Sequence, residues 1–219
     1  MVVESMNHKE IIAEYDKDWK SEMELKVENI LVNTNNTYRR YIMKNLRNEQ
    51  FFFFKPIFLT SSRGNKYVLQ ISTRGWADFK KNNLLFCIYM YYMRNDGIHV
   101  VMPNWKSNSC SFDGFVFYTS HLFDRYRERE MKDVNIPKMN AIIECIKLNA
   151  CFRHKEIVSN KYHNSIFIVS PCGVMLGTLL EDGNKIMKTY LTFEMLKDQQ
   201  IDDKNEMIER VLDLIKHLK

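Results

Sequence analysis

His121 is the side chain best placed in this 219-residue chain to move a proton among fixed cations. It follows an apolar run, Phe112 to Tyr118, and opens a segment carrying Arg125, Arg127 and Arg129. On an α-helix His121, Arg125, Glu128 and Arg129 fall at i, i+4, i+7 and i+8, so they share one face, which Lys132 extends. An imidazole near neutrality transfers protons, and guanidiniums clamp a phosphate and stabilise the charge that develops on it. That combination suits phosphodiester chemistry. The same spacing also fits a solvated helix surface with Glu–Arg pairs and a capping histidine.

A second group interleaves cations with aromatics: Arg63, Lys66, Tyr67, Arg74, Trp76, Phe79, Lys80 and Lys81. Exposed, Arg63, Lys66, Arg74, Trp76, Lys80 and Lys81 would stack bases and neutralise the phosphates of a single strand. Buried, Trp76 and Phe79 are core under a loop. The charge distribution bears on this. Residues 1–30 hold 4 Lys/Arg against 8 Asp/Glu, residues 31–110 hold 12 against 3, and residues 111–219 are balanced at 16 each. A basic middle block points to RNA or another anionic partner. The competing reading is a solvated basic face partly neutralised by the acidic N-terminal helix.

Other chemistries have weaker signals. His154 and His163 flank a turn-rich segment, but no HxxxH or HExxH spacing supports a metal site with His121, and no metal is expected. His99 reads as half-exposed packing, and His8 and His217 as solvated. The five cysteines (Cys87, Cys110, Cys145, Cys151, Cys172) form no CxxC pair and read as reduced, mostly buried thiols. Cys172, in Pro-Cys-Gly, has no base or helix N-terminus near it in sequence and reads as inert. With no GxxxxGK[ST] or GxGxxG among seven glycines, no nucleotide cofactor is expected. The N-terminus lacks the pattern of a secretory signal. The longest apolar run, Leu84 to Met93, falls well short of the ~20 residues that span a bilayer. Cytoplasmic placement without membrane contact is the expectation.

The elements that must position these residues follow from periodicity. An amphipathic helix is predicted over residues 8–32, with Ile12, Tyr15, Trp19, Met23, Val27 and Ile30 on one side. Asn33 to Asn36 should break it, and a basic helix should run from about 37 to 49. Strands are predicted at 51–59 and 66–72 around a hairpin loop at 61–65, then at 84–93, 98–102 and 112–118. Helices follow at about 120–131 and 137–149, capped by Thr119 or Ser120 and opened by Pro137. Strands at 165–169, 174–180 and 185–192 read as an antiparallel meander. A short helix to 200 and a capped helix from 203 to 218 end the chain. The fold class is α+β: an antiparallel sheet with an N-terminal helical pair and C-terminal helices. Residues 1–50 read as a helical appendage and 51–219 as the α+β domain.

The run strand, Ser/Thr-His-x3-Arg-x3-Arg, helix, then meander ending in a Thr-bearing strand resembles small ribonuclease toxins. The group is the barnase/colicin/RelE-like superfamily, including its phage-associated branches, and the resemblance covers roughly residues 112–195. It implies metal-independent RNA cleavage, in which a ribose 2′-OH attacks the adjacent phosphate. His121 would be general acid or base, Arg125 and Arg129 would hold the phosphorane, and Thr189 or Tyr190 would hydrogen-bond a phosphate oxygen. The chain departs from such toxins in its length and in its strand-rich first half. The alternative is a non-catalytic module that binds nucleic acid or protein. A third reading is an interaction protein whose acidic N-terminal helix docks onto a mate, a second copy in the homo-oligomeric case, with the Trp19–Met23–Val27 stripe exposed.

Overall fold

The computed structural model describes residues 1–45, 48–105, 112–149, 155–158, 164–170 and 172–195. They form a mixed α+β fold in two compact units, Met1–Tyr92 and the described residues from Met93 onward. The N-terminal helices belong with the first four strands, and the division falls after Tyr92.

In the first unit, α1 (His8–Asp18) opens with a capping box: Asn7 accepts from Glu10 N, and Glu10 accepts from Asn7 N. A π-helical turn (Trp19–Met23) joins it directly to α2 (Glu24–Asn45). The predicted break at Asn33–Asn36 does not occur. Thr34 and Asn35 are buried, and Asn35 Nδ2 donates to Asn82 Oδ1 and, at 3.5 Å, to the Phe79 carbonyl. Those tertiary partners outweigh the local turn preference of the segment, so the predicted helical pair is one long helical run. Its buried stripe is Ile11, Tyr15, Trp19, Met23 and Val27. Steps of four drift about 40° each around a regular α-helix. The π turn takes up an extra residue and brings the stripe back towards the sheet.

That sheet comprises β1 (Asn48–Phe53), β2 (Ile57–Thr60), β3 (Lys66–Gly75) and β4 (Leu85–Arg94). β3 is central and antiparallel to β4 on one side and to β1 and β2 on the other. It is buried on both faces from Tyr67 to Thr73, so its side chains are almost all core. A short helix, α3 (Trp76–Lys80), follows β3 where only loop was foreseen. The predicted 61–65 hairpin turn is present, closed by Ser61 N donating to the Asn65 carbonyl at 2.9 Å.

The acidic side of the helical run grips this turn. Glu14 accepts from Arg63 Nη2 at 2.5 Å and Nε at 3.1 Å. Fully buried Asp18 accepts from Asn65 Nδ2 at 2.7 Å and Tyr67 Oη at 2.8 Å, with Arg63 Nε at 3.6 Å. Glu22 accepts from Ser62 N at 2.5 Å and Ser62 Oγ at 2.7 Å. The Arg63 guanidinium draws the Glu14 carboxyl down to about 2, and Lys26 with Ser62 does the same for Glu22.

In the second unit the strands run β5 (Gly97–Trp105), β6 (Phe112–Tyr118), β10 (Lys185–Leu191), β9 (Gly173–Leu179), β8 (Ser165–Ser170) and β7 (Lys155–Val158). β8 to β10 form the predicted antiparallel meander, and β10 closes it by pairing in parallel with β6. The sheet is mostly antiparallel. Two helices, α4 (Ser120–Tyr126) and α5 (Lys138–Asn149), lie in the crossover from β6 to β10. A 3-10 turn (Phe193–Met195) stands where the short helix was predicted to begin. The predicted 203–218 helix lies outside the described residues. Cys87 and Cys145 are buried and Cys172 is partly exposed, all as free thiols. Among the described residues no helix is long and apolar enough to cross a membrane.

Two outcomes are expected of the hairpin clasp. Asp18→Ala orphans two buried partners and should lower unfolding free energy by roughly 2–4 kcal/mol in urea titration. Glu14 and Glu22 have depressed folded-state values, so the stability they contribute is complete above the unfolded value of 4.5 and is lost as pH falls toward about 2. A Glu14→Gln/Glu22→Gln double variant should start less stable at neutral pH and show a flatter acid profile across that window.

Candidate functional site

β6 ends at Tyr118 and β10 continues past it, so among the described residues no strand lies beside the next backbone groups of β10 on that edge. The chain covers the edge with α4. Thr119 N donates to the Met187 carbonyl at 3.1 Å, and Thr119 Oγ1 reaches the Lys188 carbonyl at 3.3 Å. The same hydroxyl accepts from Leu122 N, which makes Thr119 the helix cap. Leu122, Phe123 and Tyr126 are the buried side of α4.

A polar knot holds the other flank. Buried Ser120 Oγ donates to the Asp96 carbonyl at 2.6 Å and accepts from the Lys138 ammonium. Lys138 also pairs with Asp124 at 2.8 Å, and Asp124 with Arg127 at 2.6 Å. Arg127 then donates to the carbonyls of Val134 and Ile136 at 3.2 and 3.0 Å. Gly97 (φ 118°) lets the β4–β5 turn approach Ser120, where a Cβ would collide with Oγ. Apart from Asp124–Arg127, none of these pairs is visible in local spacing, because the closest of them lies seven residues apart.

His121, Arg125 and Glu128 form a connected row on the solvent side. Arg125 Nε donates to His121 Nε2 at 3.3 Å, and Arg125 Nη1 to Glu128 Oε2 at 2.7 Å. This geometry uses the neutral imidazole with its proton on Nδ1. His121 is exposed, and Arg125 and Glu128 are 37% and 41% exposed. Three of the residues predicted to share a face do so.

Arg129 does not join them. A π-helical turn (Arg127–Met131) follows α4 and shifts the helix phase, so i+8 is no longer in line with i. Arg129 Nη1 instead donates to the Tyr190 carbonyl and covers the β10 edge further along. Lys132 is exposed in the left-handed region and ends the helix.

Tyr190 is likewise a structural residue. It is fully buried, with its hydroxyl donating to the Cys172 carbonyl at 2.5 Å and lying 3.2 Å from Glu130 Oε2. Its ring meets Tyr126 edge-on at 5.0 Å. The register of β10 slips between Met187 and Thr189, which leaves Lys188 as an extra residue. Met187 and Tyr190 are therefore both buried although three positions apart, while Lys188 is exposed and Thr189 half-buried. A plain period of two would have sent Thr189 inward. Cys172 matches its inert reading: burial and then the Glu130 carboxylate push its thiol up to about 11.

The basic set of the first unit separates as well. Arg63 is engaged by Glu14 and Asp18, as the partly neutralised reading of the basic block anticipated. Lys66 and Arg74 are exposed at opposite ends of β3, about 26 Å apart along the strand. Trp76, Lys80 and Lys81 gather at α3, where Lys80 Nζ stands 5.1 Å from the Trp76 ring centroid. Trp76 is half-buried and Phe79 is core. His154 and His163 lie outside the described residues. Among the described residues no group of three or more His, Cys, Asp or Glu side chains could hold a metal ion.

Replacing Arg129 or Tyr190 should act on stability. Tyr190→Phe removes a buried hydroxyl and should cost about 1–2 kcal/mol in denaturant titration, with Arg129→Ala similar. If either left the unfolding midpoint unchanged, its edge-holding role would be refuted. No family model, curated protein or solved structure matches the chain.

Proposed function

We propose that the chain acts on RNA and cleaves it without a metal at the exposed face of α4. The observation that carries this reading is the His121–Arg125–Glu128 row, held in hydrogen-bond contact on a helix whose start is fixed on two flanks, by Thr119 and by Ser120. Glu128 orients Arg125, and Arg125 occupies the lone pair of His121. A phosphate that captures the guanidinium frees that lone pair, so the base is released where the substrate binds. His121 then takes the proton of the ribose 2′-OH as its oxygen attacks phosphorus. The phosphorus–5′-oxygen bond breaks, the proton returns to the departing 5′-oxygen, and a 2′,3′-cyclic phosphate remains. Arg125 stabilises the added charge on the phosphorane oxygens. Thr189, half-buried on β10, stays in the reading as a phosphate hydrogen-bond donor, whereas Arg129 and Tyr190 act by holding β10.

A second reading rests on α3, where Lys80 over Trp76 and exposed Lys81 present a cation and a ring to solvent. That corner suits non-catalytic single-strand binding.

Incubation of the full chain with mixed RNA in EDTA should yield cyclic-phosphate ends. His121→Ala should slow cleavage by about 10²–10⁴-fold and Arg125→Ala by about 10²–10³-fold. Both side chains are on the surface, so melting temperatures should barely move. Intact RNA with folded wild type rejects cleavage. Loss of RNA binding in Lys80→Glu/Lys81→Glu would then establish the second reading.

A further inference from the structure

The helix that packs its Met23–Val27 stripe on the sheet has an opposite face that no described residue covers. Trp19, Met23 and Val27 are buried, so the predicted pairing through that stripe is ruled out. Yet four of the ten exposed large apolar residues among the described residues lie on α2: Leu25 (64%), Val32 (62%), Tyr41 (53%) and Met43 (47%). Leu25, Val32 and Met43 are 7 and 11 residues apart, spacings that return to within about 20° on an α-helix. With Asn29, Asn36 and Arg39 they follow the alternating four–three step of a coiled-coil seam over a helix about 33 Å long.

We propose that this face pairs with the same face of a second copy, antiparallel, about a two-fold axis at the level of Thr34. That register sets Leu25 of each copy opposite Met43 of the other, Asn29 opposite Arg39, and Val32 opposite Asn36. The charges select it. Glu28 and Arg39 stand 11 residues apart on the same edge of the seam, about 16 Å along the axis and too far to meet within one helix. In the antiparallel register each Glu28 edge faces the other copy's Arg39, giving two symmetric ion pairs. A parallel pairing would set Arg39 against Arg39 and Leu25 against Leu25, and its like charges disfavour it. Half of the seam is polar, which specifies register at a cost in affinity. The dimer is therefore weak and concentration-dependent.

Sedimentation equilibrium of the full chain across a concentration series tests this. The mass should rise from 26.3 kDa toward twice that value. Glu28→Arg and Arg39→Glu should each hold the chain monomeric, and the double exchange should restore pairing. Leu25→Asp should abolish it. These positions are exposed, so helical circular dichroism should be unchanged in every variant. A wild type that stays monomeric throughout overturns the proposal. So does a dimer indifferent to Leu25→Asp, or a double exchange that fails to recover association.

Discussion

Backbone hydrogen bonding holds an α-helix to 3.6 residues per turn, whereas a helix lying on a sheet must keep one side inward along its whole length. Two helical runs in this chain meet that constraint with a π turn. In the first, the turn at Trp19–Met23 keeps residues spaced by four in the core from Ile11 to Val27. In the second, the turn at Arg127–Met131 sends Arg129 to the β10 backbone and Glu130 to Tyr190. Which side chains reach solvent is decided by these phase changes.

Polar side chains then attach each helix to its sheet. Glu14, Asp18 and Glu22 bind one hairpin turn, so the acidic N-terminal segment meets the basic middle block at Arg63. Before and after α4, Thr119 and Arg129 supply donors to a strand edge that its neighbour leaves uncovered. Ser120, Asp124 and Lys138 hold the opposite flank. Their partners offset much of the cost of burying these groups, although Asp18 Oδ1 and Arg127 Nε are buried without a hydrogen bond. The His121–Arg125–Glu128 row, on α4 and the π turn after it, stands on the solvent side.

Much of the strand order in sequence was legible. Period-two runs located the hairpin at 61–65, the strand ending at Tyr118 and the three-strand meander, since alternation and turn residues are local signals. β7 (Lys155–Val158) went unseen, and so did α3 (Trp76–Lys80), one turn of helix too short to show a period. The break expected at Asn33–Asn36 failed because Asn35 finds partners 44 and 47 residues away. Of the five residues first assigned to catalysis, His121 and Arg125 are brought together, Thr189 is left half-buried, and Arg129 and Tyr190 are given to the scaffold.

Local order determined what this chain could say about itself: fold class, the amphipathic N-terminal helix, the charge asymmetry and a histidine opening a helix of arginines. Those follow from residue type and short-range period alone. The tertiary structure decided the rest. Whether Arg63 is free, whether Tyr190 faces in or out, and whether Arg129 aligns with His121 depend on a distant carboxylate, a bulge at Lys188 and a π turn. Each is a displacement by a single residue or a contact across tens of residues. Neither leaves a mark in the spacing of neighbours, because the free energy that selects it comes from the packed partner and not from the segment itself.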